Sequence, residues 1–358
     1  MSIVVTELKI FQVGYGDCFS LAFGSEFEQN NIFIDSGYAK TYHTTISKEI
    51  AEKKSVDLWI FTHTDKDHLG GTRSIMKEFN EKKPPKFLKK IWFNFFEKSI
   101  TTVKACTGPE EYKSYKDGID FRDYIKHYEL DHVTKVVSGH TTAIGRCKIT
   151  VLAPSSESYE NYRSKWLREE GLTQKKLRDK EKSKKKTDHA IPVSGFADSK
   201  FLKDDSIENA SSIAFIFEIG ALKILFLGDS HADDVMKGLN AMGWTKQNPL
   251  RVDYIKISHH GSKYNTSDEL LDILDCSRYI ISTDGSDCSP DKLTLSKIVL
   301  RRHESRTTFY FNYRNKTIES IFNAVDLREY NIELIYPNDK DNHLLIEHTQ
   351  IINDIHTS

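Results

Sequence analysis

The stretch Phe61–Gly71, FTHTDKDHLGG, places two histidines and two aspartates, His63, Asp65, Asp67 and His68, within six positions. Imidazole nitrogen and carboxylate oxygen are the ligands a catalytic divalent ion takes at about 2.0–2.2 Å, with one position kept for water. Four such groups in one turn are more than a single ion of that kind can use. The spacing therefore points to two ions, about 3.5–4 Å apart.

Two ions need further ligands, and these occur at later positions of the same kind. Asp229 closes LKILFLGD, while His259 and His260 close VDYIKISHHGS. A carboxylate such as Asp229 can bridge two cations and offset their mutual repulsion. Asp35, at the end of NIFIDSG, is expected to orient a histidine or a water from behind. Taken singly, such a residue is more often a cap or a core hydrogen bond, and His43, His132, His140, His189 and His231 are read that way. A water held between two cations ionises near neutrality, and the same cations steady the charge that builds on the attacked centre. The reaction class is hydrolysis, with Asp67, Asp229 and His63 at its centre. Covalent catalysis is disfavoured, because no Ser or Cys stands beside a base and Cys18, in YGDCF, reads as core.

These residues need rigid elements behind them. Short apolar runs rich in β-branched and aromatic residues recur, among them VVTELKIFQV, FSLAFG, VDLWIFTH, KITVLAP, SSIAFIFEIG and RYIISTDG, and they read as buried strands. Helical spacing appears between some of them, in TTISKEIAEKKS, GTRSIMKEFNEKK, EEYKSYKDGIDFRDYIKHYEL, ADDVMKGLNAMG and SDELLDILD. The alternation predicts an α/β layer architecture. LGG is expected to let the backbone bend before a helix that begins near Thr72.

One domain over residues 1–358 is expected, since no repeat or low-complexity linker forces a cut. Residues 155–209 carry RSKWLREEGLTQKKLRDKEKSKKKTDH and read as a charged insertion, an inserted helix or a mobile excursion from the core. The tail 291–358 still contains TTFYFNY and NIELIY and is expected to complete the fold. The 51 Lys and Arg nearly balance 52 Asp and Glu, which favours neither a nucleic-acid nor a membrane-surface protein on charge alone. No apolar run reaches the roughly 18 residues of a membrane span, so no membrane partner is expected. Five scattered cysteines without a CxxC pair suit reduced thiols and a cytoplasmic location.

The motifs VGYGDCFSLAFG, FIDSG, THTDKDHLGG, ITVLAP, ENASSIAFIFEIGALKILFLGD, IKISHHGSKYNTS and YIISTDGS together resemble the metallo-β-lactamase superfamily. More narrowly, they are similar to the metallo-β-lactamase domain of the ComEC-type competence proteins. The resemblance spans about Phe11 to Asp284 and implies an αββα sandwich with the metal site at one edge between two sheets. It also implies that His63 and Asp65 hold one ion, that Asp67, His68 and a histidine of SHHGS hold the other, and that Asp229 bridges. The turn reads HxDxDH, with Asp65 where many members have His. Many members supply a third ligand to the first ion from a later histidine that has no clear counterpart here, since His140 precedes the relevant strand. Ser289, in DCSPD, stands where ComEC-type domains tend to carry His. No counterpart of the membrane channel of the competence proteins is expected in these residues.

Asp65 makes the first site richer in oxygen, which tolerates manganese beside the zinc first expected and suits phosphoryl oxygens. Phosphodiester hydrolysis, with nucleic acid as a candidate substrate, is the leading expectation. Asn209 and Ser212 in ENASS, and Lys263 after HHGS, are candidates for contacting a phosphoryl oxygen. The alternatives are a thioester, lactone or lactam hydrolase, or a partner-dependent effector module that docks to a second protein through the 155–209 insertion.

Overall fold

The computed structural model describes residues 2–25, 28–97, 112–170, 186–302 and 305–352. Two mixed sheets carry the fold. Among the described residues the first has seven strands, in the order His343–Ile352, Ser2–Phe11, Phe19–Gly24, Gln29–Ile34, Leu58–Phe61, Ile91–Phe93 and His132–Val133. The second has eight, in the order Ile332–Ile335, Thr307–Phe311, Arg278–Ile281, Tyr254–Lys256, Leu222–Phe226, Ala214–Ile219, Cys147–Ala153 and Thr141–Ile144. Each sheet is antiparallel in one half and parallel in the other.

The central strands show why four layers form. In Leu58–Phe61 every residue is buried. Leu58 and Ile60 point into the core between the sheets, and Trp59 and Phe61 into the core under the outer helices. In Leu222–Phe226 the division is the same, with Ile224 facing the other sheet and Leu225 the helices on the far side. Because side chains alternate across a strand, a run that is apolar throughout has to be covered on both faces. Helices Ile46–Lys53, Thr72–Glu78, Tyr112–His127 and Ser156–Glu169 lie over the first sheet, and helices Ala232–Ala241, Asp268–Ile273 and Lys292–Arg301 over the second. The layering is αββα.

Of the two readings of 155–209, an inserted helix or a mobile excursion, residues Ser156–Glu169 form the helix, and it belongs to the first-sheet layer: Tyr162 and Trp166 are at most 1% exposed, and Trp166 packs on Phe93 and Phe96. Residues 186–209 also return to the body, where Val193 and Phe196 are buried; the lysine-rich part, 171–185, lies outside the described residues. Gly70 and Gly71 adopt ordinary right-handed φ values, and the next helix begins at Thr72 as expected. Gly71 is required for space, since a Cβ there would lie 2.4 Å from the Ser36 carbonyl oxygen. The tail does supply two strands of the second sheet, and it also supplies the outermost strand of the first, His343–Ile352, which the sequence reading missed.

Candidate metal centre

The parallel strands of the two sheets end at one edge, and the crevice outside those ends is where open α/β sheets bind ligands. Asp35 follows Ile34, the HxDxDH turn follows Phe61, Asp229 follows Phe226, His259 and His260 follow Lys256, and Ser282 follows Ile281. Three of these residues take left-handed backbone conformations without being glycine: Asp35 (φ 54°), His259 (φ 48°) and His260 (φ 55°). Such strain costs roughly 1–3 kcal/mol per residue and collects at functional sites.

The histidines converge on one atom. Their Nε2 atoms lie 3.8 Å (His63), 3.4 Å (His68), 3.8 Å (His259) and 3.9 Å (His260) from Oδ2 of Asp229. Asp65 approaches His63 at 3.7 Å, and Asp67 approaches His260 at 3.2 Å and His68 at 3.6 Å. Both histidines of SHHGS thus reach the centre, and His260 is the one against Asp67.

The other ring nitrogens fix the tautomers. Nδ1–H of His68 donates to Asp35 at 2.8 Å, and Nδ1–H of His260 donates to the Ser282 carbonyl at 2.8 Å. Thr62 donates its hydroxyl hydrogen to Asp35 at 2.8 Å, so its oxygen accepts from Nδ1–H of His63 at 3.1 Å. Asn265 uses Nδ2 toward Asp204 and the Asp229 carbonyl, both acceptors, so its Oδ1 accepts from Nδ1–H of His259 at 2.9 Å. Every Nε2 is left as a lone pair aimed inward. Those of His63, His68 and His260 are buried without a hydrogen-bond partner, as is Oδ1 of Asp229.

Buried acceptors with nothing to accept from are costly, and cations are what this donor set fits. Behind the centre Lys256 pairs with Asp17, both 1% exposed, which cancels their charges. Asp35, Asp65, Asp67 and Asp229 then leave four negative charges, which two divalent ions balance. His63, His68 and Asp229 group on one side, and Asp67, His68 and His260 on the other. Without cations the charge is met by protons instead. Burial opposes a charged His260, but Asp17 and Asp229 outweigh it and raise its pKa to about 9. Burial also opposes a charged His68, and Asp229, Asp67 and Asp35 carry it well above the usual value.

Asp35 stands where the sequence reading put it, behind the ligands, accepting from Thr62 and His68. The substrate candidates are engaged within the protein. Ser212 is wholly buried and its Oγ accepts from the Asp229 backbone N–H at 2.9 Å, so it shapes the Asp229 turn. Asn209 is buried and donates to Asp204 at 2.7 Å. Lys263 pairs with Asp291 at 3.4 Å instead of reaching into the centre. Ser289 donates to the Tyr15 hydroxyl at 3.4 Å, and the Tyr15 ring lies 4.3 Å from that of His260. His140 packs on Trp92, away from the centre. The sequence reading missed Asp17, Lys256, Asp204 and Asn265. Lys256 carried a signal, being a lysine inside the apolar run YIKIS; Asp204, in LKDDS, carried none.

No family model and no curated protein matches the sequence. Solved structures do. One is the metallo-β-lactamase fold protein YhfI from Bacillus subtilis, 10% identical, with TM-score 0.42, over 97% of this chain and 100% of that one. The layers are those the resemblance implies. A diphosphatase from the PhnP family is 11% identical, with TM-score 0.39, over 98% of this chain and 99% of that one. The diiron β-hydroxylase CmlA from Streptomyces venezuelae is 12% identical, with TM-score 0.42, over 98% of this chain and 54% of that one. Likeness at this level does not extend to ligands or substrate. Among the described residues no helix is long and apolar enough to cross a membrane.

Proposed function

We propose that this chain is a binuclear metal-dependent hydrolase acting on phosphodiester bonds, a nuclease or phosphodiesterase. The observation that carries the reading is the convergence of four imidazole lone pairs on one oxygen of Asp229, flanked by Asp65 and Asp67. Two divalent ions, zinc or manganese, would be held by His63, Asp65, Asp67, His68, His259 and His260 with Asp229 between them. Bound there, they would supply a water ionised near neutrality and positive charge beside the attacked phosphorus.

The chain's own residues do the rest. Asp35 and Thr62 hold His63 and His68 in the tautomers that present Nε2, and the Ser282 carbonyl does the same for His260. Such outer partners keep ligands basic and correctly turned. The Ser212 hydroxyl and the buried Lys256, 4.0 Å from Oδ1, fix Asp229. The Asp65 side chain, 38% exposed, and that of His259, 26% exposed, mark the side from which substrate enters. The oxygen-rich first position and the similarity of the motifs to ComEC-type domains both support a phosphoryl substrate.

The test is metal content per chain for protein purified without chelator, with hydrolysis of a chromogenic phosphodiester, single-stranded DNA and RNA under zinc or manganese. Two metals and metal-dependent cleavage are expected, with both reduced in Asp67→Ala. Two metals with cleavage only of carboxylic esters or lactams would reassign the substrate. A folded protein that takes up no metal on reconstitution would overturn the site.

A further inference from the structure

The four histidines are not anchored alike. Those at positions 63, 68 and 260 are held from behind by groups at strand ends, namely Thr62, Asp35 and the Ser282 carbonyl. His259 is held by Asn265, and the Asn265 amide is itself oriented by donation to Asp204 at 2.9 Å and to the Asp229 carbonyl at 3.1 Å. Asp204 also accepts from Asn209 at 2.7 Å, and its Oδ2 lies 3.6 Å from both His259 Nδ1 and His231 Nε2.

Asp204 belongs to neither sheet. It lies on the segment 186–209, which is fastened to residues after the second sheet's strand Arg278–Ile281: Asp188 accepts from the Lys292 and Leu293 backbone N–H groups at 2.8 and 3.0 Å, and Val193 N–H donates to Asp326 at 3.1 Å. The segment then runs to the centre, where Asp204 N–H donates to the Tyr264 carbonyl at 3.0 Å.

We propose that Asp204, acting through Asn265, is the positioning residue that aims the His259 lone pair at the centre and makes His259 the third protein ligand of the ion beside His63 and Asp65. The inference rests on the binuclear reading above. It also gives each ion its own histidine of SHHGS, since His260 is the residue against Asp67 and His259 is left for the other ion. The physical reason is the amide. With Asp204 in place, both Nδ2 hydrogens of Asn265 have acceptors and Oδ1 must face His259. Without it the amide can turn over and present N–H to Nδ1, which moves the imidazole proton to Nε2 and closes the lone pair. Second-sphere partners of this kind change metal affinity by about 10–100-fold.

The experiment titrates cobalt(II) into metal-free wild type, Asp204→Ala and Asp204→Asn, followed by visible absorption, and reads the His259 tautomer by ring-nitrogen NMR in alkaline solution without metal. Two ions and an Nδ1–H tautomer are expected for the wild type. In Asp204→Ala one of the two ions should bind about 10–100-fold more weakly, with the proton moved to Nε2. Asp204→Asn, whose side-chain oxygen still accepts from Asn209 and Asn265, should stay close to wild type in both readouts. Asn265→Ala serves as a second variant should Asp204→Ala not fold, and the same loss of one ion is expected. Two ions at wild-type affinity in the alanine variants, or an unchanged tautomer in Asp204→Ala, overturns the inference alone. A wild type that takes up no cobalt overturns it together with the binuclear reading.

Discussion

Replacing Lys256 with Met tests how the site's charge is carried. The Lys256 ammonium pairs with Asp17, donates to the Gly228 carbonyl at 3.2 Å and lies 4.0 Å from Asp229 Oδ1. Both partners of the pair are 1% exposed, so water cannot take over for the lost cation. Breaking a buried pair by removing one member costs about 3–5 kcal/mol, chiefly the price of a stranded charge. For a chain of this size that is roughly a 4–7 °C fall in the thermal midpoint. Asp17→Asn combined with Lys256→Met removes the stranded charge, so the double variant should recover much of the loss. The assay is thermal unfolding of metal-free wild type, both single variants and the double variant at one pH. A Lys256→Met midpoint equal to wild type, or a double variant whose loss is the sum of the singles, would refute the reasoning. The cost should also rise with pH, because a protonated His260, 3.4 Å from Asp17, substitutes for the lost lysine below its pKa of about 9.

Other outcomes follow from the same geometry. In the metal-free protein the His260 pKa lies above the ordinary value of roughly 6.5, so its charge stabilises the fold below that value, and the contribution is lost as pH climbs through about 9. The metal-free thermal midpoint should therefore fall across that window, and His260→Asn should flatten the fall. Metal uptake should run the other way and strengthen with pH, since protons compete for the same nitrogens. Gly16→Ala would place a Cβ 2.4 Å from the Asp67 carbonyl oxygen while Ser282 pins the Gly16 carbonyl, so it should displace Asp67 and weaken the second ion in a metal titration. Trp166→Ala should cost about 3–5 kcal/mol in chemical denaturation, as a core residue and not part of a surface excursion.

The sequence showed the site better than it showed what holds the site. The ligands sit at the ends of runs such as LWIF and LKILF, and those runs are legible because burial on both faces leaves few polar residues in them. His343–Ile352 escaped notice because it is an edge strand whose middle, Glu347 to Gln350, is four polar residues in a row, close to the pattern of exposed chain. The helix Ser156–Glu169 was masked by the charges on its outer face, although Tyr159, Tyr162 and Trp166 already spell out an inward stripe. Asp204 had no local sign, since its meaning comes from Asn265 and His259, far along the chain. Ser212 and Asn209 were recognised as belonging to the site, but their bonds to the Asp229 N–H and to Asp204 were not legible, because spacing shows which residues reach a strand end and not which way their hydrogen bonds run.

The pairing of Ser2–Phe11 with His343–Ile352 joins the two ends of the described chain along the full length of both strands. During synthesis the first strand can dock on its neighbour Phe19–Gly24 early, but its other edge stays open until residues 343–352 have been made. Contacts of such long range close late and slowly. In that interval the nascent protein presents an extended edge flanked by Ile3 and Val5, both exposed even in the finished fold. A chain cut short before residue 343 would keep that edge permanently, and its fate would be decided less by lost activity than by pairing with other copies of itself.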